Sequence, residues 1–341
     1  MSLRVEASSG GAGEWDAFVE RQGGTHFHRH GWREVFQRVF GHQCLYLAAR
    51  DQTGALAGVL PLVRVRSLLF GHYLVSVPFV NYGGPLGSDE AVRLLTSWAA
   101  DRARSDGVKL LELRSRAPLP VDLPVSHRKI TVVLDLPAEG PDALMKRFEA
   151  KLRSQVRRPA KEGIEVRFGP DQVEPFYRVF SRHMRDLGTP AMPRRFFEEI
   201  ARVFPDAWFG CAWLGDTPVA GGAGFVWGRE FEMTWASSLH SYNRLSPNMG
   251  LYWAFMRRAM DQRLTRFNFG RCTPGSGTHR FKSQWGSRDE QLHWYQVTPD
   301  GAPAATPSPD AGAFSYGPRV WRKLPVGLAT WLGPRIVRYI P

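Results

Sequence analysis

The stretch LYWAFMRRAMDQRLTRFNFGR (Leu251–Arg271) decides the fold, because a stretch of equal length repeats its pattern 157 residues earlier, LLTSWAADRARSDGVKLLELR (Leu94–Arg114). Each predicts an amphipathic helix, a turn and an alternating strand that ends in arginine. Upstream, LAARDQTGALAG (Leu47–Gly58) and CAWLGDTPVAG (Cys211–Gly221) both predict a strand, a polar turn and a second strand. The repeated order predicts a duplicated domain, although two unrelated αβ units can share such a pattern by chance.

Apolar periodicity predicts the remaining elements of the second half. These are strands WFGCAWL (208–214), VAGGAGFVW (219–227) and EFEMTWASS (230–238), and helices at 173–188 and 193–204. Ser246 and Pro247 predict the start of the next helix, with a serine cap and proline at the first helical position. Elements in this order resemble the GNAT N-acyltransferase fold used twice. The fold class is therefore predicted to be mixed α/β, with two tandem GNAT-like domains related by internal duplication.

The domain boundaries follow from the repeat and from composition. We predict a first GNAT-like domain at 1–140, a second at 141–298 with a basic entry helix, and a Pro/Ala/Gly linker at 299–318. The tail at 319–341 carries five cations, no acid and two tryptophans. Such a segment fits a membrane-surface contact or packing on the first domain equally well.

Charge is distributed unevenly along the 341 residues, whose formal net charge is +13. Residues 1–140 hold 16 Lys/Arg and 14 Asp/Glu, whereas 141–341 hold 29 and 18. The basic half favours phosphates, nucleic acid or an anionic membrane as partners, unless arginine is common throughout the proteome. Three cysteines without CxxC spacing disfavour a disulfide framework or zinc ribbon, and no signal peptide or spanning run is evident. These features predict a cytoplasmic protein.

The loop GRCTPGSGTHRFKSQWG (270–286) follows the strand TRFNFG directly, where α/β sheets tend to bind ligands. It lacks the Gly-Lys-Ser/Thr of a phosphate-binding loop and the spacing of a dinucleotide fingerprint. Its candidate substrate-binding residues are Arg271, Ser276, Thr278, Arg280 and Trp285. A cation here, Lys282 above all, can neutralise oxyanion charge during a reaction. The alternative is a turn followed by a strand with solvated cations.

The segment TPGSGTHRFKSQWG, preceded by FNFGR and LSPNMGLYWAFMRRAM, resembles the FemAB-like acyltransferase family, most closely its exosortase/PEP-CTERM-associated branch. Weaker matches are FHRHGW near the start and VPFVNYGGP at 77–85. The resemblance implies tandem GNAT domains and transfer of an acyl or aminoacyl group to an amine. In the peptidoglycan-bridge members the donor is aminoacyl-tRNA and the acceptor a peptidoglycan precursor. The lysine of their Phe-Lys-x-x-aromatic motif, which assists the reaction, falls on Lys282.

Further candidates lie outside this loop. The basic stretch 145–163 has seven cations and two acids, and Arg153 and Arg157 share a helix face that can hold a diphosphate or remain solvated. Asn81 and Tyr82 either face substrate or belong to an ordinary turn. Glu232, on a central strand, is the candidate general base, provided that burial raises its pKa.

Metal and thiol chemistry are not predicted. The run HFHRHGW places three histidines at alternate positions, but no Asp, Glu or Cys nearby can support a metal. Cys272 would need an adjacent base to act as a nucleophile, and a buried or loop thiol is the more common case.

Taken together, the residues and the resemblance predict an N-acyltransferase or aminoacyltransferase that modifies an amino group of a cell-envelope or exopolysaccharide precursor. The alternatives are a non-catalytic protein that binds an anionic glycan-lipid and a plain acyl-CoA-dependent GNAT acetyltransferase. No cofactor is assigned, and the donor is acyl-CoA or aminoacyl-tRNA. The expected partners are a small-molecule or lipid-linked glycan substrate, tRNA in the aminoacyl case, and the inner face of the cell membrane through the tail.

Overall fold

The computed structural model describes residues 3–8, 11–67, 71–299 and 316–340. The strands are β1 (Arg4–Ala7), β2 (Gln43–Arg50), β3 (Leu56–Ser67), β4 (Gly71–Val75), β5 (Leu86–Gly87), β6 (Leu110–Ser115), β7 (Val125–Ser126), β8 (Ile130–Asp135), β9 (Ile164–Phe168), β10 (Trp208–Leu214), β11 (Thr217–Trp227), β12 (Glu230–Ser238), β13 (Arg266–Cys272), β14 (Arg288–Gln291) and β15 (His293–Val297). The α-helices are α1 (Ala12–Arg21), α2 (Trp32–Phe40), α3 (Asp89–Ser105), α4 (Pro141–Arg147), α5 (Ala150–Lys161), α6 (Val173–Leu187), α7 (Arg194–Val203), α8 (Pro247–Asp261), α9 (Gly277–Ser283), α10 (Tyr316–Trp321) and α11 (Val326–Val337).

The chain forms two compact units, each built on one sheet. The described residues up to Ile130, with 291–299 and 338–340, form the first unit, and 131–290 with 316–337 form the second. The first sheet has the order β1-β2-β3-β4-β6-β15-β7, with β5 beside β3, and the second has the order β14-β8-β13-β12-β11-β10-β9. Both are mixed sheets, because β4 pairs with β6, and β12 with β13, in parallel.

The two sheets correspond strand by strand, which agrees with the predicted duplication. Read from β1 and from β9, they place the equivalent hairpins, the parallel pair and the crossover helices α3 and α8 in the same order. In each sheet the strand next to the parallel pair lies outside the stretches of sequence that match between the two halves. It is β15 in the first sheet and β8 in the second. The units therefore divide near residues 130 and 290, not at the expected 140 and 298, because β8 pairs in the second sheet and β15 in the first.

Helices cover both faces of the second sheet. A Cβ on Gly221 would meet Phe176 of α6, and one on the next residue, Gly222, would meet Phe255 of α8. Since successive strand residues point to opposite faces, α6 and α8 lie on opposite sides of the sheet. Glycine at both positions lets the two helices approach the strand closely. Helices α4 and α5 pack against α8, and α7 and α11 against α6.

Most predicted boundaries in this unit hold, with two local corrections. The strands at 208–214 and 230–238 match β10 and β12, and Pro247 is the first residue of α8. Ser246, however, has a left-handed backbone (φ 56°) and makes no side-chain capping bond. Residues 277–283 form the short helix α9, not the strand considered as the alternative.

The tail helices pack within the second unit and the last residues belong to the first, whereas a membrane contact stays a prediction. Helices α10 and α11 pack on α6 in the second unit, whereas Arg338 donates a hydrogen bond of 2.5 Å to the carbonyl of Phe40 in the first unit. The predicted linker at 299–318 lies almost wholly outside the described residues.

Candidate functional site

The parallel strands β12 and β13 pair only at their beginnings. Their ladder joins Glu230, Phe231 and Glu232 to residues 266–268, and it ends there although β12 continues to Ser238 and β13 to Cys272. Beyond the last pair the two strands no longer satisfy each other's backbone groups. Such a gap in a sheet exposes backbone donors and acceptors to another partner.

Lys282 closes one side of this gap. Its ammonium donates hydrogen bonds of 2.6 Å to the carbonyl of Gly270 and of 3.0 Å to that of Arg271. Consecutive carbonyls of a regular strand point to opposite sides, but Gly270 has a φ of 73°, which breaks the alternation. The ammonium has three N–H groups, and these two bonds leave the third without a partner among the described residues.

Burial lowers the pKa of the Lys282 ammonium from its usual 10.5 to about 8, since only 4% of the residue is exposed. The Cys272 thiol and the Glu232 carboxyl raise this pKa, and the Arg271 guanidinium lowers it further. The structure therefore brings two other predicted site residues, Glu232 and Arg271, within electrostatic reach of Lys282.

Glu232 occupies the last position of β12 that pairs with β13 and is buried, and its role as a general base stays a prediction. It lies in register with Asn268, whose side chain organises the start of the gap. The Asn268 oxygen accepts from the Thr131 hydroxyl (2.6 Å) and from the Gly270 amide (2.8 Å), and its amide donates to Glu230 (3.0 Å). This buried network fixes the turn of β13 at Gly270.

Two of the residues predicted to bind substrate, Ser276 and Arg280, stabilise the conformation of the glycine-rich loop. Ser276 caps α9 by accepting from the amide of His279 (3.1 Å), and Arg280 donates to the carbonyl of Gly275 (2.9 Å). Thr278 is exposed on the same helix. The hydrogen bonds of Ser276 and Arg280 thus shape the loop, and a substrate-binding role for Ser276, Thr278 and Arg280 stays a prediction.

His279 lies in the same loop, seven residues after Cys272, and is the nearest candidate for a base beside that thiol in sequence. Its Nδ1 accepts from the amide of Gly275 (3.0 Å), so Nε2 carries the proton and donates to Asp289 (2.9 Å). Both ring nitrogens are therefore engaged, and His279 is not placed to activate the Cys272 thiol.

Trp285 is buried in an aromatic cluster and also lines a cleft. Its ring packs 5.5 Å from Phe148 and 6.4 Å from Tyr252 between centroids, and 1% of the residue is exposed. The cleft measures about 720 Å³, and Ser283, the residue after Lys282, is part of its wall. Its walls are Val133, Leu134, Asp135, Leu144, Arg147, Phe148, Glu149, Lys151, Leu152, Gln155, Ser283, Gln284, Trp285, Gly286 and Arg288.

The cations on the cleft wall are not the predicted pair. Arg153 donates to the carbonyl of Phe148, and Arg157 is exposed elsewhere on α5. Arg147 and Lys151, one helical turn apart in sequence, line the cleft instead and make no ion pair among the described residues. Sequence spacing alone allowed several cationic faces on this stretch, and a ligand-binding role for Arg153 and Arg157 stays a prediction.

The first unit has the same gap, and its own chain fills it. β4 and β6 pair over three residues each, and beyond them the amide of Ser76 donates to the carbonyl of Glu112 (2.9 Å). The amides of Gly83 and Gly84 both donate to the carbonyl of Arg114 (3.0 and 2.7 Å). Segment 76–84 therefore takes the backbone groups that a ligand would need.

Asn81 and Tyr82 belong to this filling segment. Both are buried, and the Tyr82 ring packs 5.4 Å from that of Phe27. Val77 and Phe79 have positive φ values of 50° and 70°, a conformation that costs energy for residues other than glycine. Their burial supports a packing role, and a contact with substrate stays a prediction.

Among the described residues, no group of three or more His, Cys, Asp or Glu side chains is placed to hold a metal ion. His26 and His28 lie in a short helical turn and are buried, and His28 is within 3.0 Å of the carbonyl of Gly84. In the same part of the chain, no helix is both long and apolar enough to cross a membrane.

The geometry and the comparisons define the class of protein. Residues 146–283 match the family described as the acetyltransferase (GNAT) domain. They contain β9–β13, α8, the strand gap and Lys282, so the second unit carries a GNAT domain and the chain has the tandem GNAT fold.

Three solved structures share this fold at low sequence identity. FemX is 15% identical over 86% of this chain and 97% of its own, with a TM-score of 0.62. The C-terminal domain of a putative lysylphosphatidylglycerol synthetase from Agrobacterium fabrum is 14% identical over 83% and 90%, with a TM-score of 0.56. A tandem GNAT protein from the clavulanic acid biosynthesis pathway is 13% identical over 89% and 100%, with a TM-score of 0.51. No curated protein sequence matches significantly.

These findings confirm the predicted fold and the resemblance to FemAB-like proteins, of which FemX is one. The family match indicates an acyltransferase domain of the GNAT type at residues 146–283. The exosortase-associated branch stays a prediction.

Proposed function

We propose that the protein transfers an acyl or aminoacyl group to an amino group of a cell-envelope or exopolysaccharide precursor. The observation that carries this proposal is the buried Lys282 ammonium, held at the strand gap of a GNAT domain with one N–H to spare. A preorganised cation in a dry site stabilises developing negative charge far better than one in water.

The residues at the gap suit each step of such a transfer. The amine nitrogen attacks the acyl carbonyl carbon, a C–N bond forms, and the bond from that carbon to the donor's sulfur or oxygen breaks. The carbonyl oxygen carries negative charge in between, and the third N–H of Lys282 donates to it. Glu232 takes the proton lost by the amine, and this proton then passes to the leaving sulfur or oxygen.

The cleft beside Lys282 suits the acceptor. Its aromatic and aliphatic walls include Trp285 and Phe148, and Arg147 and Lys151 add positive charge. A sugar stacks on aromatic rings while its phosphate pairs with cations, so we assign this cleft to a phosphorylated or lipid-linked glycan. The donor, acyl-CoA or aminoacyl-tRNA, would enter at the strand gap of the second unit, because segment 76–84 fills the gap of the first.

The unpaired Arg147 and Lys151 also favour a second candidate, a non-catalytic protein that binds an anionic glycan-lipid in the same cleft. That protein would bind its ligand without altering it. Turnover of any acyl or aminoacyl donor therefore separates the two candidates.

Mass spectrometry of envelope glycans and their precursors tests the proposal. Cells with the protein should contain a species one acyl or aminoacyl mass heavier than cells without it. Complementation with Lys282→Met should fail to restore that species, because the charge is lost while the apolar stem is largely kept. Lys161→Met, a matched change at an exposed lysine of α5, should restore it. Identical spectra with and without the protein would rule the proposal out.

A further inference from the structure

Helix α11 exposes two of its large apolar residues and buries smaller ones. Ala329, Gly333 and Val337 face the protein, whereas Leu328 and Trp331 are 42% and 56% exposed. A Cβ on Gly333 would come within 2.9 Å of the backbone of Ala191, so close packing fixes this rotation of the helix. A helix that served only to cover its own unit would place Leu328 and Trp331 inside.

The outward stripe of α11 continues an exposed apolar area around α10. Leu328, Trp331 and Arg335 follow one another at helical spacing on the outer face. Val320 of α10 is 61% exposed, and Leu187, at the end of α6, is 49% exposed. We call this area the tail surface, and it holds four of the six large apolar side chains that are exposed in the described part of the chain: Leu187, Val320, Leu328 and Trp331.

Positive charge accompanies these apolar side chains. The tail surface also exposes Arg319, Arg322, Lys323 and Arg335, and the chain has no acid after residue 310. The guanidinium of Arg335 lies 4.0 Å from the Trp331 ring centre. Tryptophan beside arginine, on a helix too short and too interrupted to span a bilayer, is the composition of a helix that lies in a membrane interface.

We propose that the tail surface docks the protein on an anionic lipid bilayer. Leu328 and Trp331 enter the boundary between headgroups and acyl chains, and the surrounding cations pair with lipid phosphates. A second copy of this chain is a poorer occupant, because a symmetric contact would bring the same unpaired cations together. The proposal does not depend on the transferase activity.

Vesicle co-sedimentation tests the docking directly. The purified full-length protein should bind vesicles of phosphatidylglycerol and phosphatidylcholine in equal parts, and should not bind pure phosphatidylcholine. High salt should weaken the binding. Replacing both Arg322 and Lys323 by Glu should weaken it by about thirtyfold or more, since each cation near an anionic surface contributes about 1 kcal/mol. Trp331→Glu should weaken it by about tenfold or more.

The control pair carries the same charge change elsewhere in the unit. Arg229→Glu with Arg257→Glu alters exposed residues of the β11–β12 turn and of α8, which lies on the other face of the sheet, and should bind as the parent does. Melting curves show that each variant is folded. Equal binding by the tail-surface and control variants would overturn the proposal, as would absence of binding by the parent. A dimer that the Trp331→Glu change dissociates would assign the surface to a second copy.

Discussion

At the scale of single residues, Lys282 has a structural role and, in the proposed function, a chemical one as well. Its two bonds to consecutive carbonyls hold the end of β13, while burial makes its charge costly. At a buried position without carbonyl acceptors, an apolar residue would stabilise the fold more than a charged lysine. Here the two carbonyls offset part of the cost of burying the charge. As pH rises, the contribution of Lys282 to stability should increase while its contribution to catalysis should decrease, so pH dependence can distinguish the two roles.

We predict that turnover and stability diverge above neutral pH. Because the folded pKa of Lys282 lies near 8 and the unfolded value near 10.5, the folded protein releases this proton first. Unfolding then takes up a proton, so the contribution of Lys282 to the free energy of unfolding rises with pH between these values. Lys282→Met lacks this rise, and denaturant melts of both proteins at several pH values measure the difference.

Catalysis should move the other way, because a neutral Lys282 donates poorly to an oxyanion. Lys282→Arg stays charged throughout this range, so the ratio of the parent's kcat to that of Lys282→Arg cancels the titration of the acceptor and the base. This ratio should fall as pH rises through about 8. A ratio that stays constant while the stability difference appears would leave the lysine with a structural role alone.

At the scale of elements, β13 depends on the conformation of one glycine. Gly270 has a φ of 73°, and this turn is what presents both carbonyls to Lys282. We predict that Gly270→Ala lowers the free energy of unfolding by about 1–2 kcal/mol, the cost of a left-handed L-residue, and also lowers kcat.

Gly228 offers a matched control in the β11–β12 turn. Its φ is 56° and a Cβ there meets nothing within 4 Å, so Gly228→Ala should carry a similar conformational cost without touching the site. Denaturant melts and kcat of the two variants give the comparison. Equal kcat values would show that the carbonyl geometry at Gly270 does not matter to the reaction.

The elements also show what the sequence can reveal. Strands β10 and β12 are predictable to the residue, because a Gly-Asp turn follows β10 and a Gly-Arg turn precedes β12. Helix α9 is not, since its seven residues are too few for periodicity, and its one signal is the Ser276 cap. The motif identifies Lys282, but helical spacing does not identify Arg147 and Lys151, because they lie on two helices, α4 and α5, that are separated by a break at Phe148.

At the scale of the whole molecule, the exchange of β8 and β15 could not be predicted from sequence. Alternation identifies a strand but not its neighbours, and both strands join sheets whose other members are far away along the chain. The first unit depends on β15 for buried polar contacts. Gln296 donates to Glu112 (2.8 Å), and Arg114, paired with that carboxylate, stacks 4.6 Å from the Trp294 ring centre.

The last prediction concerns fragments cut at the boundaries of the repeat. A fragment of residues 1–140 lacks β15 and leaves the buried Glu112–Arg114 pair without Gln296 and Trp294, which typically costs several kcal/mol. We expect it to show no cooperative thermal transition by circular dichroism. Joining residues 1–129 to 290–299 through a short Gly/Ser turn restores β15 beside β7, with which it is antiparallel. That fusion should melt cooperatively, and its Gln296→Ala variant should melt at a lower temperature. If residues 1–140 alone melted as sharply as the fusion, β15 would be an accessory strand and the first unit would end where the repeat ends.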